Sequence, residues 1–108
     1  MIFEIRYTKL AHQQLRELRA LDRSSIIKQI DTVLSKSPTF TSKARVKHLR
    51  QLAPTEYRLK VGDYRVFYNV ADDVVQIIQI LCKADSFQYY EEFSNDAPDS
   101  DESDDAHR

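Results

Sequence analysis

The sequence has 108 residues, one cysteine and a formal net charge of −1. Its length suffices for one domain with its own core, and a single cysteine excludes an internal disulfide. No apolar run approaches the ~20 residues of a membrane-spanning helix, and no basic segment precedes an apolar stretch as in a secretory signal. We therefore expect a soluble, cytoplasmic protein with no membrane association.

Charge is distributed unevenly along the chain. Residues 91–108 hold eight acids and one base, which leaves 15 bases and 9 acids in residues 1–90. The larger part is therefore basic, which suits a polyanionic partner such as nucleic acid. Residues 94–108 contain no large apolar side chain and cannot offset the entropy of ordering. We predict a folded domain over residues 1–93 and a disordered acidic tail over residues 94–108.

The first part of the chain predicts a strand and a helical hairpin. Polar and apolar residues alternate over residues 1–7, which is typical of a half-buried strand. Thr8 can cap the next helix, predicted over residues 9–21, because its hydroxyl can accept from a nearby backbone N–H. Residues 22–25 are predicted to break that helix and cap a second one, which ends before Pro38. Both helices carry an apolar stripe at helical spacing: Ala11, Leu15 and Leu18 in the first, and Ile26, Ile27, Ile30, Val33 and Leu34 in the second.

Residues 38–54 show no sustained period, and we predict a turn or a short helix there, packed through Val46, Leu49 and Leu52. The segment contains four bases with no acid among them: Lys43, Arg45, Lys47 and Arg50. Such a segment is often only a solvated surface. The alternative is that it extends a cationic surface, and on that interpretation the four bases are candidate RNA-binding residues.

The rest of the basic part predicts a meander of three antiparallel strands. Residues 57–70 read YRLKVGDYRVFYNV, two alternating segments around the only glycine, Gly62, which suits a tight hairpin. Residues 74–82 follow a second turn and are too apolar for an edge strand, so Cys82 is expected to be buried. The alternation places Arg58 and Lys60 on one face of the first strand. With Arg65 on the second strand, they are expected to display cations to solvent.

This hairpin, followed by an apolar strand and a short segment ending in tyrosine, resembles the RelE/ParE superfamily of bacterial toxins. The resemblance covers roughly residues 1–90. It implies an α+β fold, with an N-terminal strand, a helical hairpin and a three-stranded meander that form a sheet with helices packed on one face. A short helix would follow the last strand, over residues 86–93, before the acidic tail.

For RelE-type members, the resemblance also implies an active site. Arg58 and Lys60 match two basic residues on the strand before the hairpin, and Arg65 matches the arginine after it. The site tyrosine matches Tyr90, or Tyr89 if the helix is shifted by one residue. A structural alternative remains for Arg65, which could instead brace the hairpin or pair with the neighbouring Asp63.

The chain departs from the RelE pattern after its last strand. Ala84 occupies the position nearest the family's last-strand arginine, so Lys83 beside it would have to replace that arginine. These residue types suit metal-free RNA cleavage, in which positioned cations stabilise the charge that gathers on the phosphorane. No cofactor and no metal are implied. No catalytic triad, HExxH, CxxC, P-loop or GxGxxG pattern is present, which excludes the commonest enzyme classes.

Three functions follow from the resemblance. The leading one is a type II toxin that cleaves mRNA on the ribosome, with the ribosome, mRNA and a cognate antitoxin as partners and a toxin–antitoxin hetero-oligomer as its inhibited form. The alternative is a ParE-like toxin that inhibits DNA gyrase and cleaves nothing. The third is a remnant that binds RNA or antitoxin without activity.

Overall fold

A computed structural model describes residues 2–42, 45–50 and 53–86, and these contain five strands in one mixed sheet. The strands are β1 (Glu4–Tyr7), β2 (Val46–His48), β3 (Tyr57–Val61), β4 (Tyr64–Ala71) and β5 (Val74–Cys82). Their spatial order is β1-β5-β4-β3-β2, with β1 parallel to β5 and every other pair antiparallel. The predicted meander is therefore confirmed as β3, β4 and β5. The apolar β5 lies inside the sheet, as its composition predicted.

Two helices follow β1: α1 (Lys9–Arg16) and α2 (Ala20–Gln29), the second continuing into a wider turn over Ile30–Leu34. The predicted cap of α1 is confirmed, because the Thr8 hydroxyl accepts from the backbone N–H of Ala11 at 3.1 Å. The helical stripes pack against one face of the sheet. The buried core combines helical residues (Ala11, Leu15, Ile26, Ile30, Leu34) with strand residues (Val46, Leu59, Val61, Val66, Tyr68, Val75, Ile77, Ile80).

The break between the helices lies at residues 17–19, and the prediction that it falls at residues 22–25 was wrong. Asp22 instead lies in the first turn of α2. The physical reason is a long-range cap, since the Arg23 guanidinium donates from Nη1 to the carbonyl oxygens of Leu15 (3.3 Å) and Leu18 (3.0 Å). That side chain adds a charged donor to carbonyls at the end of α1, where a helix has fewer backbone N–H partners than in its interior.

The segment before the meander contains a strand, so the turn or short helix predicted for residues 38–54 was wrong in part. Within it, β2 pairs with β3, with Val46 opposite Leu59 and Lys47 opposite Arg58. Three residues are too few to show a period, and pairing with β3 determines their conformation. Leu52 and Lys43 lie outside the described residues.

The hairpin turn at Gly62-Asp63 is confirmed, and Gly62 has φ +55°. At the second turn Asp72 adopts φ +56°. Cys82, the last residue of β5, is exposed, so the prediction that it is buried was wrong. Its position at the end of the strand, where the chain leaves the sheet, explains the exposure.

Several predictions concern residues beyond position 86. Residues 83–86 are helical, so a helix begins three residues before the predicted start at Ser86. The rest of that helix, the domain boundary at residue 93 and the acidic tail lie outside the described residues. In the part of the chain that is described, no helix combines the length and apolar character needed to span a membrane.

Candidate nucleic-acid interface

The sheet face opposite the helices carries four cations on neighbouring strands. In the strand register Lys60 lies opposite Arg65, and Arg58 lies opposite both Phe67 and Lys47. Directly opposed residues have Cβ atoms about 5 Å apart. We call Lys47, Arg58, Lys60 and Arg65 the cationic face. The predicted clustering of Arg58, Lys60 and Arg65 is therefore present, and Lys47 joins them.

Exposure differs sharply within the cationic face. Arg58 and Arg65 are each only 1% exposed, whereas Lys47 and Lys60 are half-buried. The prediction that Arg58 and Arg65 face solvent was therefore wrong. Alternation determines the face on which a side chain lies, but it does not determine what covers that face. Lys60 is the predicted catalytic residue of this face that retains access to solvent.

Arg65 has a structural partner in its own hairpin. Its Nη1 donates to the carbonyl oxygens of Gly62 and Tyr64, both at 3.0 Å. These bonds hold the guanidinium along the backbone that turns from β3 into β4. The hairpin brace, one of the alternatives for Arg65, is thus present in the fold.

The structure brings Lys83 to the same hairpin. Its backbone N–H donates to the carbonyl oxygen of Asp63 at 2.7 Å, and the side chains of Lys83 and Ala84 are exposed. Lys83 therefore lies where β5 ends, next to the turn that Arg65 braces. Tyr89 and Tyr90, the two candidates for the site tyrosine, lie outside the described residues.

Three of the four predicted RNA-binding bases are described. The carbonyl oxygen of Arg45 accepts from the N–H of Lys60 at 2.8 Å, which extends the β2–β3 pairing by one residue. Arg45 and Arg50 are exposed, and Lys47 lies in the register of the cationic face. Arg45 and Arg50 thus flank the cationic face along its β2 edge, to which Lys47 itself belongs.

A small apolar cluster was missed by sequence reasoning. Phe67 and Leu49 are buried together, with Ala53 and Leu81 packed around them. Phe67 lies opposite Arg58 in the register, so this second core adjoins the cations. An apolar neighbourhood strengthens the electrostatic effect of a nearby cation on an anion. The only sequence signal was the large apolar Phe67 on the face that also carries Arg65.

A link between α2 and the hairpin was also missed. The Tyr64 hydroxyl donates to Oδ2 of Asp22 at 2.9 Å. This hydrogen bond is the main reason that the pKa of Tyr64 is raised. The two residues border a cleft of about 240 Å³ between α2 and the hairpin. No local pattern could reveal a contact across 42 positions.

In the part of the chain that the structure describes, no three His, Cys, Asp or Glu side chains come together as the ligands of a metal ion would.

One family of known proteins matches most of the chain. Residues 5–87 match the family described as the ParE toxin of type II toxin–antitoxin system, parDE. No curated protein sequence matches the chain.

Solved structures from several organisms share this fold. The RelE–RelB complex of Pyrococcus horikoshii includes a chain 26% identical, at a TM-score of 0.63, covering 77% of this chain and 97% of that one. A chain in the toxin–antitoxin complex RelBE2 of Mycobacterium tuberculosis is 21% identical, at a TM-score of 0.64, and the match covers 76% of this chain and 99% of that one. A mutant of the E. coli toxin RelE in the free state is 24% identical, at a TM-score of 0.64, and the match covers 86% of this chain and 95% of that one.

The family match spans most of the chain, and the fold matches that of RelE toxins. The protein therefore belongs to the ParE toxin family of type II toxin–antitoxin systems, within the RelE/ParE superfamily.

Proposed function

We propose that this toxin cleaves mRNA on the ribosome and is inhibited by a cognate antitoxin that covers its basic surface. The observation that carries the proposal is the cross-strand pair of Lys60 and Arg65, with Lys83 hydrogen-bonded at the tip of the same hairpin. The similarity to the RelE chain of the P. horikoshii complex supports cleavage over other activities of the superfamily.

The chemistry follows from these cations and from the RNA itself. The ribose 2′-hydroxyl gives its proton to solvent water as its oxygen attacks the adjacent phosphorus, the bond to the 5′-oxygen breaks, and a 2′,3′-cyclic phosphate and a 5′-hydroxyl result. Lys60, half-buried beside the apolar Phe67 cluster, stabilises the charge on the phosphorane oxygens. Lys83 supplies the proton that the leaving 5′-oxygen takes up, the role that the family's last-strand arginine would otherwise have. Arg58 and Arg65, beneath this surface, add positive potential without direct contact.

The ribosome would supply what this site lacks. With Arg58 and Arg65 buried, few side chains of the cationic face remain to orient a flexible RNA strand. Holding the strand in an attack-ready geometry can lower the activation barrier of cleavage by about 7–11 kcal/mol. We therefore expect cleavage in the ribosomal A site and poor cleavage of free RNA.

The antitoxin is the expected protein partner. The similar RelE and RelBE2 structures are complexes of a toxin with its antitoxin. Residues 1–90 carry 15 bases against 9 acids, so an acidic or amphipathic segment of the antitoxin is the complementary partner.

The decisive experiment expresses the toxin without antitoxin and maps mRNA ends. We expect translation to stop first, with new ends in phase with codons and with 2′,3′-cyclic phosphates. Lys60→Ala should reduce cleavage at least tenfold, whereas Lys28→Ala, an exposed lysine of α2 on the other side of the sheet, should not. Intact mRNA on stalled ribosomes would refute the proposal.

Gyrase inhibition is the second candidate, favoured by the burial of Arg58 and Arg65 and by the match to the ParE family. A toxin of this kind needs no exposed catalytic cations. It would cause DNA breaks and a DNA-damage response while mRNA stayed whole. The same expression experiment, with chromosomal DNA examined alongside mRNA, distinguishes the two activities.

A further inference from the structure

Beyond the cationic face, the helix-free side of the sheet carries a second polar row that the proposed cleavage chemistry does not use. Arg6 of β1 lies opposite Gln76 of β5, which lies opposite Asn69 of β4. We call Arg6, Gln76 and Asn69 the amide row. Asn69 follows Arg65 by four residues on the same face of β4, a separation of about 13 Å along the strand.

A β-bulge separates the amide row from the cationic face. Phe67 lies opposite Gln79, but the next residue, Tyr68, lies opposite Ile77, so Ile78 is an extra residue in β5. A bulge bends its strand, increases the local twist and often redirects side chains beside a functional site. The two polar regions therefore share one face and are set apart by this irregularity.

The residues on either side of Gln76 are held in place. The Asn69 side-chain oxygen accepts from the N–H of Glu56 at 2.7 Å, and the carboxylate of Glu56 accepts from the N–H of Val70 at 2.9 Å. On the other side, Arg6 Nε donates to Glu4 Oε2 at 2.8 Å. That ion pair leaves the row without a net cationic charge, unlike the cationic face.

Gln76 itself is exposed, and its side-chain amide makes no hydrogen bond to any residue that the structure describes. It borders a cleft of about 280 Å³, in which Ala71 and Val74 offer apolar surface beside the polar side chains and the Asp72 carboxylate. Sites for drug-sized ligands begin at about 300 Å³, so this cleft suits a smaller, flat group. The Gln76 amide, which offers a hydrogen-bond donor and an acceptor, therefore lies between Arg6 and Asn69, whose side chains are held by other residues.

We propose that this cleft binds one unstacked base of single-stranded RNA and that Gln76 reads the edge of that base. A primary amide matches a base edge that presents a donor beside an acceptor, and proteins recognise RNA sequence mainly through such splayed bases. The inference rests on the proposed function, because the base would belong to the strand whose phosphate contacts Lys60. It assigns sequence preference to a part of the sheet distinct from the cleavage site.

A binding experiment tests the cleft independently of cleavage. The purified full chain, labelled with ¹⁵N, is titrated with tetranucleotides of adenosine, cytidine or uridine at low salt. We expect the Gln76 side-chain amide signals to shift and the tightest tetranucleotide to bind at least tenfold better than the weakest. Gln76→Ala should reduce that ratio about tenfold, the discrimination that one well-placed amide pair provides. Gln76→Glu, which replaces the amide donors with a carboxylate, should change the preferred base.

Gln13→Ala is the matched control, since it removes an exposed glutamine from α1 on the other side of the sheet. It should bind all three tetranucleotides as the unmodified chain does. Equal binding of the three by the unmodified chain, or an unchanged ratio in Gln76→Ala, would overturn the inference.

Mapped mRNA ends separate this inference from the proposed function. If the toxin cuts mRNA, Gln76→Ala should flatten the base preference at one position near the cut, and an unaltered preference would refute the cleft. If the toxin cuts no mRNA, the cleavage proposal fails, while base discrimination by Gln76 in the tetranucleotide titration would still support the cleft.

Discussion

Arg65 illustrates how one residue can carry a family's site signature and still act within the fold. The guanidinium does not lose its proton in proteins, and burying it is costly unless its donors are satisfied. Here Nη1 donates to the carbonyls of Gly62 and Tyr64. Removing the side chain would therefore take away charge-assisted bonds that fix the turn between β3 and β4.

We predict that Arg65→Ala lowers the free energy of unfolding by about 2–3 kcal/mol, the range for hydrogen bonds to a charged group. Lys60→Ala, at the opposed and half-buried position, should change it by less than about 1 kcal/mol. Urea unfolding followed by circular dichroism measures both. If the two variants unfold at the same urea concentration, Arg65 is not a brace, and a direct role toward substrate becomes the better interpretation.

Tyr7 gives the fold a dependence on alkaline pH. Burial, with the nearby Asp31 carboxylate as a smaller cause, raises the pKa of Tyr7 to about 12. The tyrosine of an unfolded chain ionises near pH 10. Because the folded state keeps its proton longer, the stabilisation is present below pH 10 and is lost as the pH rises from about 10 to about 12.

The raised pKa of Tyr7 leads to a prediction for Tyr7→Phe. The free energy of unfolding of this variant should fall less steeply than that of the unmodified chain between pH 10 and pH 12. The difference in free energy of unfolding between the two chains should stay constant from pH 7 to pH 9. Urea midpoints measured across this range provide the test. Burial also raises the pKa of Tyr68, so some alkaline loss should remain in the variant. Parallel curves up to pH 12 would contradict the shift assigned to Tyr7.

The sequence could predict on which face of the sheet a side chain lies, but not whether that side chain is buried. The alternation of polar and apolar residues was enough to place Arg58, Lys60 and Arg65 on one face. It could not reveal that Leu49 and Phe67 form a second buried cluster on that face. Burial depends on chain segments that arrive from elsewhere in the sequence, and a period of two contains no information about them.

Among the elements, the helical hairpin is fixed by a side chain outside its own turn. The turn at residues 17–19 contains no glycine or proline. Arg23, from the first half of α2, instead closes the end of α1 through the carbonyls of Leu15, Arg16 and Leu18. This explains why the polar, cap-forming residues 22–25 placed the predicted break several residues too late.

We predict that Arg23→Ala lowers the free energy of unfolding by about 1–2 kcal/mol, because carbonyls at the end of α1 lose a charged donor. Arg16→Ala is the control, since that side chain is exposed at the end of the same helix. Its effect should stay within about 0.5 kcal/mol. Chemical unfolding measures both values, and amide hydrogen exchange at residues 15–19 should accelerate only in Arg23→Ala.

The strands differ in how far sequence could predict them. The meander was predictable because two short turns join three segments with strong β patterns. The three-residue β2 was not, since it exists through its pairing with β3. The parallel pairing of β1 with β5 joins segments about 70 residues apart and leaves no mark in the local pattern of either.

In the whole molecule, the two faces of the sheet differ in what they contact and in the residues they carry. One face is packed against α1 and α2 and supplies the main core. The other face carries the cations, the small Phe67 cluster and the amide row, and it borders the basic β2 edge. The candidate RNA surface was therefore predictable as a face of the sheet, whereas the amide row required the strand order.

The acidic segment adds a final whole-molecule consequence. Eight acids in residues 91–108 are tethered to a part of the chain with 15 bases and 9 acids. A tethered polyanion acts at high effective concentration, so it should compete with RNA for the basic surface.

We predict that a chain ending at Phe93 binds single-stranded RNA more tightly than the full chain at low salt. The difference should shrink as salt rises, because screening weakens both attractions. Fluorescence anisotropy with a labelled oligonucleotide, from low to physiological salt, measures both affinities. Equal affinities of the two chains at low salt would mean that the acidic segment does not compete with RNA. In that case a full-length chain with these eight acids changed to serines should bind RNA no more tightly than the unmodified chain.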